Sequence, residues 1–136
     1  MNSVIPGGTH VGGLTYNALV VLADGVYLEL IAFVEADPPS SHRWGRASPG
    51  WIDFAFLGLS SDVDRVINER AAKDKSGVTY QAGVDGGRHG ETPQGKVLKW
   101  RVTAPAMKHG IGRLPFFCQD VTPREWRVSW MRRGPM

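Results

Sequence analysis

Glu29 is the lone acid in "VYLELIAF" (Val26 to Phe33), a run otherwise made of aliphatic and aromatic residues. Side chains two apart along a strand share a face. Glu29 therefore lies with Tyr27, Ile31 and Phe33, while Val26, Leu28 and Leu30 point the other way. Both faces are largely apolar, which predicts a strand covered on both sides. An ionised carboxylate buried there is costly unless it meets a metal, a base or a proton. Glu29 is thus either a catalytic carboxylate or metal ligand, or a structural partner of an arginine such as Arg101.

A few other side chains could share that chemistry. His10 sits in a glycine-rich stretch just before the hairpin, and imidazole is a common ligand of divalent metals. It could equally hydrogen-bond backbone. Asn17 could orient a ligand or hold the turn. Asp53, in "WIDFAF", shares a face with Trp51 and Ala55 and could offer oxygen to a metal or bond a neighbouring strand. Arg88, in "VDGGRHG", could grip an anionic substrate with both arms of its guanidinium. Arg124, in "DVTPRE", could face a site or serve an ordinary turn, and Trp100 could line an apolar ligand cavity. His42, His89 and His109 lie in polar loops with no paired spacing that would mark a zinc site.

Recognisable elements must position these residues. Tyr16 to Leu22 and Val26 to Phe33 flank "ADG", in which Asp24-Gly25 can supply positive φ, so a hairpin is expected. Residues 1–15 are expected to be loop. The proline-rich residues 36–50 form a linker. Trp51 to Leu59 reads as a strand. A helix follows, with Ser61 as cap, Asp64 completing a capping box, an apolar stripe of Val63, Val66, Ile67 and Ala71, and Gly77 as its end. Strands are then expected at Val78 to Gly87, Lys96 to Pro105, "LPFFCQD" and "REWRVSW".

Composition bounds the protein class. The chain has 136 residues, 42% hydrophobic and 21% charged, enough for a globular core and too apolar for disorder. Its net charge of +3 gathers late, in Arg113, Arg124, Arg127, Arg132 and Arg133, but no nucleic-acid motif accompanies it. A single cysteine, Cys118, rules out a disulfide within the chain and fits a reducing, cytoplasmic setting. No apolar run is long enough to span a membrane, and no signal-peptide pattern opens the sequence.

The blocks "PGGTHVGGLTYNALVVLADGVYLELIAF", "PGWIDFAF", "VDGGR…LKWRVT" and "LPFFCQDVTPREWRV" resemble the glyoxalase-like domain family of the vicinal oxygen chelate superfamily. The resemblance runs from about Pro6 to Val128. It implies an α+β fold of paired βαβββ modules, with a cup-shaped, mostly antiparallel sheet. Residues 1–35 would be a partial first module, 51–131 the second and 132–136 a tail, all in one domain. The family's opening strand, with its Asp-His pair, and the helix after it have no counterpart, so the first module is expected to be incomplete.

The superfamily commonly holds a divalent metal (Zn, Fe, Mn, Ni or Mg) with His and Glu. On that pattern His10, Glu29 and Asp53 would be its ligands, Glu29 the catalytic carboxylate, and Asn17, Arg88, Trp100 and Arg124 the substrate contacts. The implied activities are lyase, isomerase or dioxygenase chemistry on a small oxygenated substrate. The alternative is a metal-free ligand-binding or degenerate member. An uncovered sheet edge would favour a homodimer.

Overall fold

The computed structural model describes residues 4–90 and 95–128. Their strands are β1 (Val4–His10), β2 (Thr15–Val21), β3 (Tyr27–Phe33), β4 (Ala55–Leu57), β5 (Val84–Gly90), β6 (Val97–Thr103) and β7 (Phe116–Asp120). The helices are α1 (Val63–Asp74), a 3-10 turn at Met107–His109, and the short α2 (Arg124–Arg127). The fold is α+β, as expected. The chain divides into two compact units that interleave in sequence. The first holds residues up to Pro38, Gly86–Lys99 and Val121 onward; the second holds Pro39–Asp85 and Trp100–Asp120.

In the first unit the strands run β3-β2-β1-β5, each antiparallel to its neighbour. The β2–β3 hairpin is where the sequence puts it. Gly25 takes φ 84° in its turn, the left-handed backbone that glycine accepts without a Cβ clash. One face of β2 is buried through Thr15, Asn17 and Leu19. The opposite face is not covered: Tyr16 is 50% exposed and Leu30 52%. The expectation of a strand buried on both sides is therefore wrong for β3, which has only one packed face.

β1 is a second correction, because residues 1–15 were expected to be loop. The strand lacks apolar alternation, and its order comes from backbone pairing with both β2 and β5. Its register slips between Pro6 and Gly8, leaving a bulge at Gly7. A third correction is "REWRVSW", expected as a strand. Residues 124–127 form α2 instead, and residues 129–130 lie outside the described residues, as does the expected tail. Proline 123 explains the start, since its fixed φ suits a helix entrance.

The second unit orders β6-β7-β4, with β7 antiparallel to β6 and parallel to β4. Of the strand expected from Trp51 to Leu59, the ladder takes only Ala55–Leu57. α1 begins later than the capping box suggested: Asp62 is the N-cap residue and makes no side-chain cap bond. It ends at Lys75, in left-handed backbone at φ 53°, whose N–H reaches the Ala71 carbonyl. The strand expected from Val78 gives way to an isolated Tyr80–Pro105 bridge, and the ladder starts at Val84.

Asn68 ties α1 to that bridge. Its Oδ1 accepts the Tyr80 N–H at 2.8 Å and its Nδ2 donates to the Tyr80 carbonyl at 3.0 Å. Tyr80 is buried, and its hydroxyl donates to the Pro115 carbonyl at 2.7 Å. Asn68→Ala would leave two backbone groups unmet, so we expect a loss of about 2 kcal/mol in urea unfolding. An unchanged midpoint would mean that water replaces the amide.

Candidate functional site

Four neighbouring strands of the first unit each contribute one polar side chain to a single row. Sheet pairing creates the row. Asn17 on β2 stands opposite Ile31 on β3, one same-face step from Glu29, and Leu19 stands opposite Glu29. His10 on β1 stands opposite Arg88 on β5. The bulge at Gly7 sets Gly8 opposite Asn17. Glu29, Asn17, His10 and Arg88 are thus neighbours in space while lying up to 78 positions apart in sequence (10 to 88).

Asn17 is the hub. Its Nδ2 donates to Glu29 Oε1 at 2.6 Å and lies 3.4 Å from His10 Nε2. Its Oδ1 accepts from Arg88 Nη1 at 2.7 Å. That pattern fixes the amide, because an N–H only donates and a guanidinium has nothing to accept with. The same logic fixes the neutral imidazole. Nε2 accepts from Asn17, so the proton sits on Nδ1 and donates to Thr15 Oγ1 at 2.8 Å. His10 Nε2 then faces Glu29 Oε1 across 3.5 Å.

Burial alone would push the Glu29 carboxyl up. The hydrogen bond and charge that His10 offers when protonated at Nε2, with the Asn17 hydrogen bond and the Arg88 charge, outweigh it and hold the group below its ordinary value of 4.5. Glu29 is therefore ionised at neutral pH, with 28% of its side chain exposed, and His10 has 16%. Arg88 is only 4% exposed. Desolvation lowers its pKa, partly offset by the Glu29 charge.

The structure brings together His10, Asn17, Glu29 and Arg88 from the residues singled out by sequence. Asp53 has a different place. It belongs to the second unit, where its Oδ2 accepts from Arg43 Nε and Trp44 Nε1, each at 3.0 Å, and Oδ1 accepts its neighbour's N–H. Those bonds engage both of its oxygens structurally. Trp100 is also in the second unit and buried. Arg124 donates to the Gly25 carbonyl at 3.3 Å, anchoring α2 to the hairpin turn. Arg101 belongs to the second unit and pairs with Asp85 at 3.2 Å. Among the other histidines, His109 accepts the Thr79 N–H at 3.0 Å and is a structural anchor.

Two contributors were missed. Thr15 holds the imidazole, and the two-residue period that groups Thr15 with Asn17 could have found it. Arg127 was hidden by the mistaken strand at its position. It donates from Nη1 to Tyr27 Oη at 2.8 Å, and its backbone carbonyl lies 3.4 Å from Arg88 Nη2.

The glyoxalase-like domain family matches residues 3–134. The chain belongs to that family. A comparison with curated proteins gives no match. Among solved structures, a hypothetical protein from Staphylococcus aureus is similar to this glyoxalase-like domain, with TM-score 0.62 and 16% identity. The likeness covers 98% of this chain and 56% of that one, so this chain spans a little over half of its relative's length. At such identity it supports the fold alone.

Among the described residues, the donor set at this site does not by itself fit a resident metal. Among the described residues no group of three or more His, Cys, Asp or Glu side chains could hold one. His10 and Glu29 supply two donors, whereas catalytic zinc sites use three protein ligands. Asn17 Nδ2 already bridges those two donors, and the Arg88 cation stands directly behind it. Among the described residues no helix is long and apolar enough to cross a membrane.

Proposed function

We propose that this glyoxalase-like domain binds a small oxygenated molecule at the His10–Glu29 pair and exchanges a proton with it, as an isomerase or lyase does. The observation that carries this is the geometry of the imidazole. Thr15 bonds Nδ1, and Nε2 faces Glu29 Oε1 across 3.5 Å with Asn17 Nδ2 at 3.4 Å. His10 takes a proton from a carbon next to a carbonyl, and Glu29 stabilises the imidazolium that forms. Asn17, polarised by Arg88, keeps the carboxylate in place. An imidazole beside an ionised carboxylate suits proton transfer, which supports lyase or isomerase chemistry.

Deuterium uptake from D2O tests this directly, with hydroxyacetone as the probe and NMR as the readout. Wild-type protein is expected to exchange the proton next to the carbonyl faster than buffer. Glu29→Gln and His10→Asn should each slow that exchange by roughly 100-fold, in the usual range for general acid–base groups. Exchange no faster than buffer with the wild type would overturn the proposal. Elemental analysis of protein purified without chelator should give less than one divalent metal per chain.

A further inference from the structure

Arg88 carries a charge that the proton-transfer step leaves unanswered. Its guanidinium is 4% exposed, yet no carboxylate lies within salt-bridge distance of it among the described residues. Among the described residues it donates only to neutral oxygens, Asn17 Oδ1 at 2.7 Å and the Arg127 carbonyl at 3.4 Å, and its Nε has no partner there. A buried cation with no counterion is costly. Glu29 compensates it at a distance, through Asn17, while His10 is neutral. Once His10 takes a proton, Glu29 must answer the imidazolium, and the charge of Arg88 is left over.

We infer that the molecule this site takes is a small monocarboxylate bearing oxygen on its second carbon, a 2-hydroxy or 2-oxo acid, whose carboxylate supplies the missing negative charge. This rests on the proton-exchange reading of the same row. Arg127 and Tyr27 supply the donors for that carboxylate. Arg127 reaches Tyr27 Oη at 2.8 Å, with its guanidinium 5.7 Å from the ring centre. Tyr27 is on the Glu29 face of β3, two residues away. A phenol that accepts from a guanidinium is a stronger donor in turn. Arg88 itself is too buried to act as the two-armed clamp expected from sequence. It sets the potential, and Arg127 with Tyr27 provides the contact.

Calorimetric titration of the full chain at low ionic strength tests this, using lactate and pyruvate as probes and hydroxyacetone as their uncharged counterpart. The acids are expected to bind at least 10-fold more tightly than hydroxyacetone, as a charge-assisted contact should. Arg127→Gln and Tyr27→Phe should each weaken the acids by about 10-fold, more than they weaken hydroxyacetone. Thermal melts check that both variants fold; if Arg127→Gln does not, Tyr27→Phe carries the test alone. Equal affinity for charged and neutral probes, no binding of either acid, or acid affinity indifferent to Tyr27→Phe would overturn the inference. Tight acid binding with no deuterium exchange would instead sink only the proton-transfer proposal. Exchange of hydroxyacetone without acid preference would sink only the carboxylate.

Discussion

Gly7→Ala is expected to cost about 3 kcal/mol or more, a large share of the stability of a domain this size. A Cβ on Gly7 would collide with Asn17 Oδ1 and Arg88 Nη1, the two atoms of the central hydrogen bond, and with the Asn17 carbonyl. Neither side chain can yield cheaply. Asn17 is 8% exposed and Arg88 4%, and moving either breaks the donor that holds Glu29 or the acceptor that meets Arg88. The β1 bulge places the glycine where the Asn17–Arg88 bond crosses the strand. Its requirement is room, not unusual backbone. Urea unfolding followed by tryptophan fluorescence would measure the effect. A cost below about 1 kcal/mol would show that the row can slide aside.

Asn17→Ala should be comparably damaging, about 3 kcal/mol, through loss of partners instead of overpacking. It strips Arg88 Nη1 of its acceptor and Glu29 of its closest donor, while the two opposite charges remain where they were. The variant also changes the response to acid. In the wild type the Glu29 carboxyl titrates below its ordinary 4.5. The unfolded state therefore binds that proton more readily than the folded one. The resulting stability is fully present above about pH 4.5 and is lost as pH falls through the folded value. Removing the Asn17 hydrogen bond raises the folded value, so the acid-sensitive stability shrinks and stability depends less on pH below 4.5. Melting curves of both proteins between neutral pH and pH 3 would show it. A parallel pair of pH profiles would mean that Asn17 does not hold the carboxylate's proton affinity down.

Neither effect could be ranked before the sheet was known. In sequence, Gly7 is one of several glycines in a stretch that looks like loop, and Asn17 is a polar residue near a turn. Strand pairing made them adjacent to Arg88. β1 was illegible because its order is supplied by ladders on both sides, and a sequence pattern records side-chain burial better than backbone pairing. α2 was misread because "REWRVSW" alternates like a strand, while the proline before it directs the chain into a turn of helix. Asp53 was a reasonable metal ligand by type, but its partners, Arg43 and Trp44, come from the linker, where spacing carries no contact information.

What the sequence determined by itself was local or cumulative. It specified the hairpin at Asp24-Gly25, the helix within residues 61–77, the α+β class and the family, because turn chemistry, periodicity and long matching blocks are written along the chain. It also marked Glu29 as anomalous, since a lone acid in an apolar strand needs a partner whatever the fold. The tertiary structure alone decided who that partner is. Asn17, His10 and Arg88 meet Glu29 only through antiparallel register and one bulge, and a shift of one residue would turn Glu29 to the opposite, uncovered face. The chemistry of the row therefore resides in strand pairing, a long-range property that no single segment of the chain contains.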